Sequence, residues 1–208
     1  MRLVLIRHGE SRHATQALIA GPGHCPGLTE GGRRQAERLA VRLGSSGELG
    51  DCQRLLSSPV LRARQTADIL RAALGWPAVE DDPRLAEIDP GAANGLTWAA
   101  YRQHYGEFDL ISEPRRPFAP GGESWDEFLG RVEQTLAELA ERCAGQTVVA
   151  VSHAGFIVAA LLMLFAIPRP GTGARIDPGH ASLTRWRHED GSWHLEAFND
   201  QAHLVGPG

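Results

Sequence analysis

Short apolar runs recur along this chain, each closing on a polar cluster, and segments with helical apolar spacing lie between them. Leu3-Val4-Leu5-Ile6 is continuously apolar and breaks off at Arg7-His8-Gly9-Glu10-Ser11. That pattern predicts a strand covered on both faces of a parallel sheet. Thr29 then caps a helix whose apolar positions run through Ala36, Leu39, Ala40 and Leu43, with Gly44 as its stop. Leu55-Leu56 reads as a second buried strand ending at Ser57-Ser58, and Pro59 suits the first turn of a helix that reaches Leu74 before Gly75. A short helix is expected over Trp98–His104, and a long one over Ser124–Cys143, where Ser124 and Glu127 have capping-box spacing. Thr147–Val151 is the clearest strand and ends at Ser152-His153-Ala154-Gly155. The apolar run Phe156–Ile167 reads as a buried helix. Ser182–Arg187 and Ser192–Phe198 alternate around Asp190-Gly191, the pattern of an antiparallel hairpin.

Strands alternating with helices predict an α/β fold: a three-layer α/β/α sandwich with a mainly parallel sheet and an antiparallel edge strand. The 208 residues fit one domain spanning 1–208, with an irregular, Pro- and Gly-rich lid or specificity insert at about 76–122. In such sheets ligands bind beyond the carboxyl ends of the strands. The polar groups that follow the three buried strands are therefore expected to converge.

Composition narrows the chemistry. All 21 basic residues are Arg and there is no Lys, which removes the lysine of a Walker-type phosphate loop and any Schiff-base amine. Acids outnumber bases by 25 to 21, and no basic run marks a nucleic-acid surface. Phe156–Ile167 is far shorter than the ~20 residues that span a bilayer, so no membrane partner is expected. Four apolar residues before the first internal charge are too few for a signal-peptide core. The widely spaced Cys25, Cys52 and Cys143 read as reduced thiols, and together these features predict a cytoplasmic protein. His13 and His24 with Cys25 match no standard metal spacing, so no metal and no cofactor is expected.

Two histidines and two arginines at one sheet edge point to phosphate chemistry. A guanidinium fork matches phosphate oxygens, and a neutral imidazole can attack phosphorus. Arg7 and Arg62 would disfavour the His8 imidazolium, keeping the ring nucleophilic near neutral pH while attracting a phosphate dianion. A leaving alkoxide needs a proton, so a carboxylic acid should stand nearby.

The ordered motifs Arg7-His8-Gly9-Glu10-Ser11, Leu28-Thr29-Glu30-Gly31-Gly32-Arg33-Arg34-Gln35-Ala36, and Ser57-Ser58-Pro59-Val60-Leu61-Arg62-Ala63-Arg64-Gln65-Thr66-Ala67 resemble the histidine phosphatase (phosphoglycerate mutase-like) superfamily. The resemblance continues through Arg84-Leu85-Ala86-Glu87, Gly121-Gly122-Glu123-Ser124, Ser152-His153-Ala154-Gly155 and Phe198-Asn199-Asp200-Gln201-Ala202-His203-Leu204, nearly the whole chain in the family's order. It implies that His8 is the phosphorylated nucleophile and that Arg7, Arg62 and His153 form the phosphate pocket. It further implies that Glu87 is the proton donor, that Ser11 contacts the phosphate and that no metal is used. Glu10 and His180 join Ser11 as candidate substrate contacts.

The chain departs from the family pattern at three places. Ala14 stands at a customary Asn, Ala93-Asn94 replace a Trp-Glu pair, and His180 stands where relatives often carry Asn. After Glu87 there is no basic and phenolic sequence of the mutase type, which favours the phosphatase branch. The expectation is a metal-independent phosphomonoester phosphatase acting through phosphohistidine on a small phosphorylated metabolite. Phosphoglycerate mutase and a non-catalytic phospholigand-binding module are the alternatives. The substrate and the oligomeric state, a homodimer among the options, are left open. Arg115 and Arg116 are candidates for gripping a second anion, and Trp98, Tyr101, Tyr105 and Phe108 for a lid over the site.

Overall fold

Apolar side chains on the central strands alternate between two faces, and each face has its own helical layer. In the computed structural model, which describes residues 1–107, 109, 112–167 and 174–205, the first strand β1 is Arg2–Arg7, followed by a single helical turn α1 (Arg12–Thr15) and by α2 (Glu30–Ser46). Next come β2 (Cys52–Ser57), α3 (Leu61–Leu74), β3 (Val79–Asp81) and α4 (Trp98–Tyr105). The chain closes with α5 (Trp125–Arg142), β4 (Thr147–Ser152), α6 (Ala154–Leu164), β5 (Leu183–Glu189) and β6 (Ser192–Asp200). The sheet order is β3-β2-β4-β1-β5-β6. The first four strands run parallel, and the β5–β6 hairpin is antiparallel. This is the three-layer arrangement expected, with two antiparallel strands at one side of the sheet.

Leu3, Leu5, Val148, Ala150 and Leu56 face α5 and α6, while Val4, Ile6, Val149, Val151 and Leu55 face α2 and α3. All ten are at most 2% exposed. Burying each of the larger of these side chains contributes roughly 1.5–3 kcal/mol, which is why this double-sided sheet needs uninterrupted apolar runs. On α5 the buried stripe is Phe128, Val132, Thr135, Leu136 and Leu139, with Leu129 only partly covered.

Several expected boundaries move for identifiable reasons. Helix α2 runs past Gly44 to Ser46 and ends at Gly47, which takes the left-handed conformation (φ 65°) that a C-cap favours. Pro59 lies outside α3, whose N-cap is Val60. The segment 76–122 is not wholly irregular: β3 pairs parallel with β2, because Val79 has a partner strand waiting at the sheet edge. The apolar run 156–167 is helical as far as Leu164. No helix among the described residues is long and apolar enough to cross a membrane. The hairpin turns through Asp190 and Gly191, both at positive φ.

Candidate active site

Parallel register sets the site. Arg7 lies opposite Ser152 and Ser57 opposite Val151, so β1, β4 and β2 finish at one level. Pairing continues one residue beyond the strands: the His8 amide donates to Ser152 O (3.0 Å) and the Ser58 amide to Val151 O (2.9 Å). His8 and Ser58 are therefore held by sheet hydrogen bonds rather than by loop conformation alone, and His153 follows directly on β4 as the N-cap of α6. Past His8 the chain dives under α2. The Gly9 amide donates to Thr66 Oγ1 on α3 (3.1 Å), and Gly32 passes so close to Glu10 that a Cβ would overlap the Glu10 carbonyl oxygen.

His8 is 3% exposed. Its Nδ1 lies 2.7 Å from Gly9 O, and a carbonyl can only accept, so Nδ1 carries the proton. Nε2 then holds the lone pair, consistent with the Arg62 Nε–H that donates to it across 3.0 Å. Burial holds the ring well below its ordinary 6.5, with the charge of Arg62 and then His153 acting in the same direction. The imidazole is thus neutral, and its free electron pair is fixed in direction.

The other sequence-predicted groups gather round it. Arg62, 2% exposed, is anchored by Nη1 donating to Ala20 O (2.8 Å). Arg7 donates from Nη1 to Pro178 O and to Asp177 Oδ1 (3.3 Å), while its buried Nε–H has no partner. His153 packs edge-on against His8, ring centroids 5.1 Å apart. Its Nε2 bonds Ser58 Oγ (2.8 Å), and its buried Nδ1 is also unpartnered. Burial first, then Arg62, keeps His153 well below 6.5. Buried polar atoms normally find a partner. Two orphans beside a neutral imidazole are what an anion would satisfy.

Glu87 reaches the same place from the segment after β3. Gly155 N donates to its Oε2 (3.0 Å) and Ile88 N to its Oε1 (3.1 Å). A Cβ on Gly155 would overlap this carboxylate, so the glycine permits the approach. Arg131 of α5 fixes the Glu87 backbone by donating to the carbonyls of Arg84, Ala86 and Glu87 (2.6, 3.0 and 3.2 Å) while pairing with Glu123 (2.7 Å).

Of the remaining candidates, Ser11 is buried with its Oγ 2.6 Å from His13 Nδ1. Glu10 accepts from Thr29 Oγ1 (2.6 Å), which ties it to the start of α2. His180 donates from Nδ1 to His8 O (3.3 Å), its ring 5.6 Å from that of His8. His13, which the sequence offered only in a poor metal pattern, stands 6.3 Å from the His8 ring because α1 turns back over the site. Burial, with Arg62 charge adding to it for His13 and Arg7 charge for His180, pushes both rings down to about 4. Among the described residues no group of three or more His, Cys, Asp or Glu side chains is placed to hold a metal ion.

A cavity of about 430 Å³ opens at this point, and Arg7, His8, His13, Arg62 and Glu87 are in its lining. The rest of its lining includes Leu18, Ile19, Ile88, Trp98, Phe118 and Trp125. Of the lid candidates, Trp98 lines the cavity, Tyr101 is buried behind Phe118 and donates its hydroxyl to Phe118 O (2.7 Å), and Phe108 lies outside the described residues. Sequence reasoning missed Arg131, the permissive role of Gly155, and Phe118 and Trp125 beside the Trp98 it had offered. Their only signal was an arginine beside an apolar stripe and isolated Trp and Phe in a loop-rich segment.

Known proteins place the chain. A metal-independent phosphoserine phosphatase of Arabidopsis thaliana is 28% identical over 210 residues, covering 99% of this chain and 84% of that protein. The bifunctional protein Rv2228c of Mycobacterium tuberculosis is 37% identical over 155 residues, 73% of this chain, and that match spans only 41% of its length. The solved mycobacterial glucosyl-3-phosphoglycerate phosphatase Rv2419c, complexed with VO3, superposes with a TM-score of 0.77 at 30% identity, covering 95% of this chain and 98% of that one. The family model for the histidine phosphatase superfamily (branch 1) matches residues 3–201, and with the sheet-edge histidines this makes the chain a member of that superfamily.

Proposed function

We propose that this protein is a metal-independent phosphomonoester phosphatase in which His8 is transiently phosphorylated. The observation that carries the reading is the orientation of His8: a neutral ring whose Nε2 lone pair faces Arg62 in a cavity also lined by Arg7 and Glu87. Arg7, Arg62 and His153 hold the phosphoryl oxygens, filling the vacant donor at Arg7 Nε and the unpaired His153 Nδ1. His8 Nε2 forms a bond to phosphorus as the ester P–O bond breaks, and Glu87 gives its proton to the leaving oxygen. Gly9 O, on the far nitrogen, supports the positive charge that develops on the ring. Water then attacks phosphorus, Glu87 takes the water's proton, and the P–N bond breaks to restore His8. Ser11 acts through His13, and Glu10 through its hold on α2, to keep this end of the cavity shaped, with His180 beside His8.

The partner is a small phosphorylated metabolite, a reading that the similarity to a phosphoserine phosphatase and to a glucosyl-3-phosphoglycerate phosphatase supports. A cytoplasmic location fits three cysteines that are all free thiols. The test is phosphate release from p-nitrophenyl phosphate in excess chelator, with mass spectrometry of enzyme quenched in alkaline denaturant, where a P–N bond survives. Turnover with label on His8, and a loss on the order of 10³-fold or more in His8→Ala, are expected. Full activity in His8→Ala, or label on another side chain, would overturn the reading.

A further inference from the structure

Beyond the phosphate end, the cavity carries a message about the rest of the substrate. Its charged lining side chains among the described residues are Arg7, Arg62 and Glu87, all engaged with the phosphoryl group in the reaction above. Apart from His8 and His13, the other side chains of the lining are hydrocarbon and aromatic, among them Leu18, Ile19, Ile88, Trp98, Phe118 and Trp125, with the methyl of Ala14. The aromatic part is a built wall. Trp98 and Tyr101 lie edge-on or tilted against Phe118, with centroids 5.8 and 4.9 Å away, and Tyr101 and Phe118 belong to a separate small core with Ile19, Ala93 and Ala119.

The backbone of this wall offers little to a polar ligand either. The amides of Leu18, Ile19 and Gly21 already donate to His13 O, Leu96 O and Asn94 Oδ1 (2.9, 2.8 and 2.9 Å). Asn94 completes the staple by donating to Pro22 O (2.7 Å). Arg115 and Arg116, the cations that might have met a second anion, are not in the lining. Arg115 has a side chain 93% exposed, and Arg116 pairs with Glu113 and donates to Tyr105 O. A substrate carboxylate placed here would lose water and gain no further cation among the described residues, whereas an apolar group would release water from both surfaces.

We infer that the physiological substrates are phosphomonoesters of apolar alcohols, aryl-alkyl or branched alkyl, rather than phosphorylated hydroxy or amino acids. This rests on the phosphatase reading and adds the organic half of the substrate. About 430 Å³, at roughly 30 Å³ for each water-sized group, holds a phosphoryl group and a body of about eight or nine non-hydrogen atoms.

The test compares kcat/KM of the full chain for 2-phenylethyl phosphate, ethyl phosphate, O-phosphoserine and 3-phosphoglycerate. All four release primary aliphatic alcohols, so leaving-group chemistry is matched. The phenylethyl ester is expected to exceed both acids on the order of 100-fold, and ethyl phosphate to fall between. Trp98→Arg, which places a cation at the half-exposed rim, is expected to shift the ratio of phenylethyl ester to 3-phosphoglycerate toward the acid by tenfold or more; a ratio is unaffected by how much of the variant folds. Acids hydrolysed as well as or better than the phenylethyl ester would overturn this inference alone, as would an unmoved ratio in Trp98→Arg. Absence of turnover of every ester, p-nitrophenyl phosphate included, would overturn the phosphatase reading and this inference with it.

Discussion

Arg62 donates its Nε–H to Nε2 of His8 across 3.0 Å, with both side chains buried and the His8 ring locked from behind by Gly9 O. This guanidinium fixes the direction of the His8 Nε2 lone pair and, after burial, adds to what keeps the ring neutral; in the proposed reaction that is where phosphorus arrives. Ala20 O takes up the guanidinium's Nη1 from the side.

Arg62→Lys tests that fork. A lysine keeps the charge but has one nitrogen, and cannot serve Ala20 O and the His8–phosphate axis together. The expected result is a fall in kcat on the order of 10²-fold with a native circular dichroism spectrum. A kcat within threefold of wild type would show that charge alone suffices.

Glu87→Gln separates proton donation from positioning. The amide keeps the shape and one oxygen, enough for one of the Gly155 and Ile88 amides, which bond different oxygens of Glu87, but has no proton to give. Hydrolysis of alkyl phosphates should slow by about 10²–10⁴-fold. p-Nitrophenyl phosphate, whose leaving phenolate needs little protonation, should lose far less in its phosphorylation step. Equal losses on both esters in single-turnover kinetics would remove Glu87 from the acid role.

Thr66→Val probes the support beneath the nucleophile. Thr66 Oγ1 accepts from the Gly9 amide and donates to Arg62 O (2.8 Å). Removing it strands a buried N–H at a cost of about 1–3 kcal/mol and loosens the loop that aims His8. Lower denaturant stability together with a kcat reduced on the order of tenfold or more is expected; unchanged kcat would confine Thr66 to stability.

Stability should fall as pH falls below neutrality. His13, His180 and His203 are pushed down to about 4, and His8 and His153 lie well below 6.5. The unfolded chain therefore binds protons near 6.5 that the folded chain refuses until much lower pH. Stability is fully present above about 6.5 and declines through the window down to about 4. Urea unfolding at pH 7, 6 and 5 should show decreasing free energy, and His13→Asn should flatten the slope by up to one proton. A flat profile between pH 7 and 5 would contradict the burial of these rings.

The alternation of apolar runs with helical spacing was enough to read the sheet, its helical layers and the meeting of His8, Ser58 and His153 at one edge, because parallel strands buried on both faces leave no freedom in which end carries polar residues. Motifs at and just after the strand ends likewise named Arg7 and Arg62, while Glu87 came from the family resemblance. What local pattern could not carry was everything made by contacts distant in sequence. Arg131 clamps Glu87 from 44 positions away, His13 folds back over the ring of His8, and Trp98, Phe118 and Trp125 share one cavity although the chain separates them. Periodicity reports which side of an element faces inward, whereas the partners on the other side of a cavity are chosen only when the whole chain has packed. The candidate phosphate end of the site is therefore written in short motifs, whereas the apolar lining of the same cavity is assembled by tertiary structure.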